Sequence, residues 1–317
     1  RPFLMKLLRT LGLTAALAVA TSPALAADKL TVLLDWFVNP DHAPLIVAKE
    51  KGFFAAEGLD VELVAPSDPS APPKLVAAGK ADLAVSYQPQ LHVQVEEGLP
   101  LARIATIVAT PLNSLVVLAD GPVKSIADLK GRKVGFSVGG FEDVILGAML
   151  RKHGVDVKDV ELINVNFSLS PSIISGQVDA VIGAFRNFEL NQMDIVGRPG
   201  RAFYVEEEGI PAYDELIIVA NNQRLDDPKF SRFVSALEAA TMYLINHPDE
   251  AWQAFVATDK KLDDELNKRA WADTLPRFAL RPGAMDNARY ARFADFMIKE
   301  GMIKKAPSVE TYAVELK

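Results

Sequence analysis

"KLVAAGKADLAVSYQ", residues 74–88, runs from a helix end through a glycine, a polar residue and an Asp into a short apolar strand that stops at a polar and aromatic cluster. The same order returns in "SIISGQVDAVIGAFR", residues 172–186. A helix-to-strand unit that recurs with the same punctuation implies two similar α/β lobes. The flanking sequence agrees. "KLTVLL" (29–34) alternates as a strand, and "APLIVAKEKGFFAAEG" (43–58) spaces its apolar residues at helical intervals until Gly58. Strands over 61–64, 81–86 and 102–110 alternate with helices over 72–80 and 90–98, the pattern of an α/β fold with mostly parallel strands. From Leu115 the cycle restarts, with Ser125 and Asp128 spaced as a capping box. Strands follow over 133–137, 160–165 and 178–185, separated by helices over 141–154 and 171–177, then a strand over 215–221 and helices from about 226. The expected architecture is a two-lobe fold with 27–114 and 221–317 in lobe 1 and 115–220 in lobe 2. Crossings near 113–115 and 219–222 would form a two-strand hinge.

The N-terminal 26 residues read as a secretory signal, with Lys6 and Arg9 before an apolar core over 11–20 and the small-x-small pattern Ala24-Leu25-Ala26. The apolar core is about ten residues, too short to span a bilayer. Cleavage after Ala26 would remove Arg1, Lys6 and Arg9 and no acid. That leaves 31 basic against 41 acidic residues. Such a balance argues against a nucleic-acid partner and against attraction to anionic lipid. The chain contains no Cys, hence neither a disulfide framework nor the thiol that a lipoprotein anchor requires. A soluble periplasmic protein with no direct membrane anchor is expected.

Ligands in open α/β sheets lie beyond the carboxyl ends of the strands. Here those ends carry polar and aromatic clusters at 35–39, 86–88, 110–114, 137–142 and 185–189, so the cleft between lobes is the expected site. Trp36, Tyr87, Phe141 and Phe185 offer faces that could sandwich a flat ring. Asn39 and Asn187 both donate and accept, Glu189 and Glu142 accept, and Thr110, Ser114, His42 and the backbone of Gly139 complete the candidate set. Each has a plainer alternative. Trp36 either meets ligand or packs the lobes, and Glu189 either anchors ligand or suits a helix N-terminus. Asp35 reads as a capping or hinge residue, His42 as a ligand contact or a structural bond, and one of Phe185 and Phe188 as core. "EEE" (206–208) reads as a solvated loop. The four histidines form no metal-binding pair, and no nucleophile elbow or phosphate loop occurs, so neither a cofactor nor catalysis is expected.

"LDWFVNPDHAPLIVAKEKGFFAAEGLDVELV" (34–64), with "GKADLAVS" (79–86) and "LKGRKVGFSVGGFED" (129–143), resembles the family that unites yeast thiamine-pyrimidine synthases with periplasmic binding proteins for thiamine-pyrimidine precursors. The resemblance runs over nearly the whole chain beyond the signal. It implies a type II periplasmic-binding fold that closes on a hydroxymethyl- or formylaminomethyl-aminopyrimidine and delivers it to the permease and ATPase of an ABC importer. Trp36 and Glu189 are the positions it carries over most directly. The synthase branch implies a different class, an enzyme with a pyridoxal-bound lysine and a histidine that is consumed. Those positions hold Ser86 and Gln90 here, and the cysteine-rich iron-binding stretch has no counterpart. Binding proteins for alkanesulfonates, taurine or nitrate share the helix-to-strand passage, but an anion site calls for cationic or multiple N–H donors, and only Arg186 stands at a strand end. Another heterocycle, such as a riboflavin precursor, is the remaining alternative.

Overall fold

The computed structural model describes residues 26–316; all of the signal segment except its last residue lies outside them. Ten strands form two five-stranded sheets. The first contains β1 (Asp28–Leu33), β2 (Leu59–Val64), β3 (Leu83–Ser86), β4 (Leu101–Val108) and, from far along the chain, the strand Leu216–Asn221. The second contains β5 (Asn113–Leu118), β6 (Lys133–Phe136), β7 (Glu161–Asn164), β8 (Ala180–Phe185) and β9 (Gly200–Tyr204). With Leu216–Asn221 numbered β10, the orders are β2-β1-β3-β10-β4 and β7-β6-β8-β5-β9. In each sheet three parallel strands stand beside an antiparallel strand that borders a crossing between the halves. The recurrence of 74–88 in 172–186 thus corresponds to β3 and β8, each the third strand of its sheet.

Helices α1 (Ala43–Glu50), α2 (Phe53–Ala56), α3 (Pro72–Ala77) and α4 (Gln88–Glu96) accompany the first sheet, and α5 (Glu142–Lys152), α6 (Leu169–Ile174) and α7 (Glu189–Ile195) the second. The C-terminal helices are α8 (Pro228–Asn246), α9 (Pro248–Val256), α10 (Glu265–Thr274) and α11 (Asn287–Lys299); α8 and α9 pack on α1. The single helix expected over 43–58 is two, because Gly52 takes a left-handed conformation (φ 78°) that ends α1 and starts α2. The expected capping box at Ser125 and Asp128 forms, but it opens a short 3-10 turn, Ile126–Leu129. Strand β9 and helix α7 carried no periodic signal. Among the described residues no helix is long and apolar enough to cross a membrane.

The return crossing is earlier than 219–222. All of β10 pairs with β3 and β4, so the chain has re-entered the first sheet by Leu216 and the second connection is 205–215. The apolar run 216–221 suits a fully buried strand of either lobe, and only pairing assigns it. Glu215 ties the two crossings together. Its Oε2 accepts from the backbone N–H of Leu112 (2.6 Å) and Asn113 (2.8 Å) and from the Tyr213 hydroxyl (3.1 Å). Burial pushes its carboxyl up to about 7.

Candidate functional site

The stretch after β1 folds as a self-bonded corner. Asn39 caps the 3-10 turn Pro40–His42, its Oδ1 accepting from Asp41 N (2.8 Å) while its own N–H donates to His42 Nδ1 (3.3 Å). With Nδ1 accepting, the imidazole proton sits on Nε2 and donates to Asp35 Oδ1 (2.8 Å). The Tyr87 hydroxyl, at the end of β3, donates to Asp35 Oδ2 (2.8 Å). Asp35 is thus a buried carboxylate with both oxygens bonded. It locks the first strand end to the third.

The other sheet presents two buried acids. Glu142, opening α5, accepts through Oε2 from Ser137 N (2.8 Å) and Val138 N (2.9 Å). Its other oxygen lies against the backbone of Gly183, where φ is 95° and a Cβ would overlap the carboxyl, so glycine is required there. Glu189, opening α7, accepts through Oε2 from Phe185 N (2.7 Å). Burial pushes both carboxyls up to about 8. Asp41, on the first lobe, is pushed up to about 6, again by burial.

These groups border one cleft, about 380 Å³ with the solvent at its mouth counted, lined by Asp35, Trp36, Asn39, Asp41, Tyr87, Glu142, Leu169, Gly183, Phe185, Phe188 and Glu189. The indole Nε1 of Trp36 is buried without a hydrogen-bond partner, although the ring packs edge-on against Phe167 at 4.7 Å. Leaving such a donor unpaired costs about 1–3 kcal/mol. Acceptors dominate the remaining polar surface, and no Lys or Arg lines the cleft.

Of the twelve candidates, Trp36, Asn39, Tyr87, Glu142, Phe185 and Glu189 line this cleft. The other six lie elsewhere for identifiable reasons. His42 is fully buried with both ring nitrogens engaged. Thr110 is exposed and its hydroxyl accepts from Arg277 (3.2 Å). Ser114 is buried in β5, donating to Ala184 O (2.8 Å). Gly139 is exposed, and the N–H of neighbouring Gly140 is taken by the Asp143 carboxylate (2.9 Å). Phe141 stacks directly on Tyr87, centroids 5.1 Å apart and planes at 26°, so these two faces meet each other and do not sandwich a ring. Asn187 commits its amide nitrogen to contacts between the lobes, Nδ2 donating to Asp41 Oδ1 (2.6 Å) and Thr274 Oγ1 (2.7 Å), while its Oδ1 is buried without a partner. Even Asn39, though at the cleft, has its amide engaged, Nδ2 donating to Phe37 O (3.0 Å) and Oδ1 forming the cap.

Asp35, Asp41, Leu169, Gly183 and Phe188 also line the cleft and stand outside the twelve. Asp35 reads from sequence as a capping or hinge residue, and Asp41 lies in the conspicuous stretch between Asn39 and His42, whose chemistry is more versatile. Phe185 and Phe188 both line the cleft, so neither is purely core. Leu169 and Gly183 carry no chemistry a sequence displays. Arg186 is held away from the cleft by Glu206, in a two-pronged pair at 2.6 and 2.7 Å, and stacks over Tyr204 at 4.1 Å. The 206–208 loop is therefore paired: Glu208 also meets His153 Nε2 at 2.6 Å and Lys152 Nζ at 3.4 Å.

The family model described as NMT1/THI5 like matches residues 39–251. The chain belongs to that family. Among curated relatives, this NMT1/THI5-like chain is 57% identical over 297 residues to a Haemophilus influenzae protein named for thiamine biosynthesis, covering 93% of this chain and 95% of the relative. It is 36% identical over 244 residues to the formylaminopyrimidine-binding protein of Halalkalibacterium halodurans, covering 76% and 73%. Relatives named 4-amino-5-hydroxymethyl-2-methylpyrimidine phosphate synthases match at lower identity. Among solved structures, the alkanesulfonate-binding protein SsuA of Xanthomonas axonopodis superposes with a TM-score of 0.71 at 14% identity, covering 91% of this chain and 99% of that one. The fold is the two-lobe type II fold of periplasmic binding proteins.

Proposed function

We propose that the chain is the periplasmic substrate-binding component of an ABC importer and captures a thiamine pyrimidine precursor, hydroxymethyl- or formylaminomethyl-aminopyrimidine, by lobe closure. The observation that carries this reading is the acceptor-rich cleft beside an aromatic wall. Glu189 is held by backbone N–H groups alone, that of Phe185 and its own, with no side-chain donor on it, so it is placed to accept from an exocyclic amine. Its raised pKa suits a carboxyl that shares a proton with a ring nitrogen. Trp36 supplies a ring face and an unused N–H. The relative named a formylaminopyrimidine-binding protein supports the same ligand class. Capture proceeds as the lobes close, the ligand's contacts with both walls stabilising the closed state that the importer would engage.

A sulfonate or nitrate fits poorly here. An anion would enter a cleft bordered by Asp35, Asp41, Glu142 and Glu189, while the nearest strand-end cation, Arg186, is already paired. The enzyme reading fares no better. At the two positions where the synthase resemblance calls for Lys and His, the Ser86 hydroxyl donates to Gln90 Oε1 (2.9 Å), a closed buried pair with no amine. Residues 27–317, refolded to remove carried-over ligand, are titrated calorimetrically with each pyrimidine and with taurine. One-to-one binding of a pyrimidine and no heat with taurine is expected. Taurine binding with silent pyrimidines would overturn the proposal.

A further inference from the structure

Asp41 and Glu189 come from opposite lobes and line the same cleft. Neither is saturated. Glu189 is held by backbone N–H groups alone, and Asp41 accepts Asn187 Nδ2 on Oδ1, with Thr274 Oγ1 3.2 Å from the same oxygen, while Oδ2 has no hydrogen bond. The Asn187 contact crosses between the lobes. Thr274 Oγ1 lies 2.6 Å from Ala270 O and 3.2 Å from Asp41 Oδ1; its single proton can serve only one of them, the shorter contact being to Ala270, and it accepts the second hydrogen of Asn187 Nδ2. Both amide hydrogens of Asn187 are therefore delivered to the first lobe, and its amide orientation is set, because an oxygen in that place would face the Asp41 carboxylate. Asn187 and Glu189 share one turn, 185–189. The clasp between lobes and the cleft wall are thus joined at a single residue, Asp41.

Resting on the pyrimidine reading, we propose that Asp41 is a specificity-determining residue that accepts an N–H from the ligand's side arm and links that contact to lobe closure through Asn187. Closure brings the Asp41 and Glu189 carboxyls to one water-poor cleft, where the charge of Asp41 raises the cost of ionising Glu189. A ligand that offers a donor to each acid removes that cost; one that lacks the second donor leaves Asp41 Oδ2 buried and unpaired. Asp35, Glu142 and Glu215 add to the acidic surroundings, while His42 is committed to Asp35. The arm donor is the element that distinguishes a formylaminomethyl ligand from its oxygen isostere.

The test compares two ligands on three proteins by calorimetry: formylaminomethyl-aminopyrimidine and the formate ester in which oxygen replaces the arm N–H, on wild type, Asp41→Asn and Asn187→Ala. Wild type should prefer the amide by about tenfold or more. Asp41→Asn keeps an oxygen for Asn187 but turns an amide N–H₂ to the cleft, so the preference should collapse or invert. Asn187→Ala loosens the clasp and leaves Oδ2 in place, so both ligands should weaken by a similar factor with the preference intact. Equal binding of the two ligands by wild type overturns the inference, as does a preference that survives Asp41→Asn. If Asp41→Asn does not fold, the wild-type ratio alone decides. Pyrimidine binding without discrimination sinks only this inference, whereas wild type silent to both ligands and to hydroxymethyl-aminopyrimidine sinks the ligand reading with it.

Discussion

The first lobe brings to the cleft a carboxylate, Asp35, with both oxygens already bonded by the side chains of His42 and Tyr87; the second brings Glu142 and Glu189, each tied to backbone N–H groups alone. The sheets behind them have the same strand order. The same scaffold position can therefore serve two purposes. In the first lobe the strand-end chemistry is consumed in making a rigid corner, whereas in the second it remains open on the cleft side. Asp41 stands between these cases, half in a clasp and half in the cleft.

Removing an open acceptor should harm binding, and removing a closed one should harm the fold. The largest effect is expected for Glu189→Ala. Pyrimidine affinity should fall on the order of 10–100-fold, the worth of a hydrogen bond to a charged or shared-proton group, while the melting temperature stays near wild type. Unchanged affinity would remove Glu189 from the site. Asp35→Asn comes next and should act oppositely. The new amide cannot accept from both the His42 Nε2–H and the Tyr87 hydroxyl, so chemical denaturation should show a loss of about 1–3 kcal/mol. An Asp35→Asn protein as stable as wild type would dissolve the contrast between the lobes.

A third effect concerns pH. Glu142 and Glu189, at about 8, hold protons that the unfolded chain releases near 4.5, and Glu215, at about 7, adds to this. Between those values the folded state binds more protons, so stability falls as pH rises. His92, pushed down to about 3 by burial, gives the opposite slope, but only below its ordinary 6.5. The ligand-free protein should therefore lose thermal stability from about pH 6.5 to 8.5, and Glu142→Gln, which has no such proton, should shallow the decline. Parallel melting curves across that range for the two proteins would show that Glu142 is already ionised in the fold.

Alternation of apolar runs and the repeat at 74–88 and 172–186 suffice to read two α/β halves, because burial and hydrogen bonding within a strand or helix depend on neighbours a few residues away. The strand-end location of the cleft was legible for the same reason. Which half claims β10 was not, since the apolar residues of 216–221 satisfy either sheet and only their pairing with β3 and β4 decides. Residue type showed that Asn39, His42, Thr110, Ser114 and Asn187 can hydrogen-bond. It did not show with what: partners such as Asp35, Arg277, Ala184 and Asp41 arrive from elsewhere in the turn or from distant segments. Composition and periodicity by themselves determined the architecture, the absence of thiol chemistry and the acidic, aromatic character of the strand ends. Only the tertiary structure decided which of those acids keep an oxygen free, because that depends on donors that folding brings to them from far along the chain.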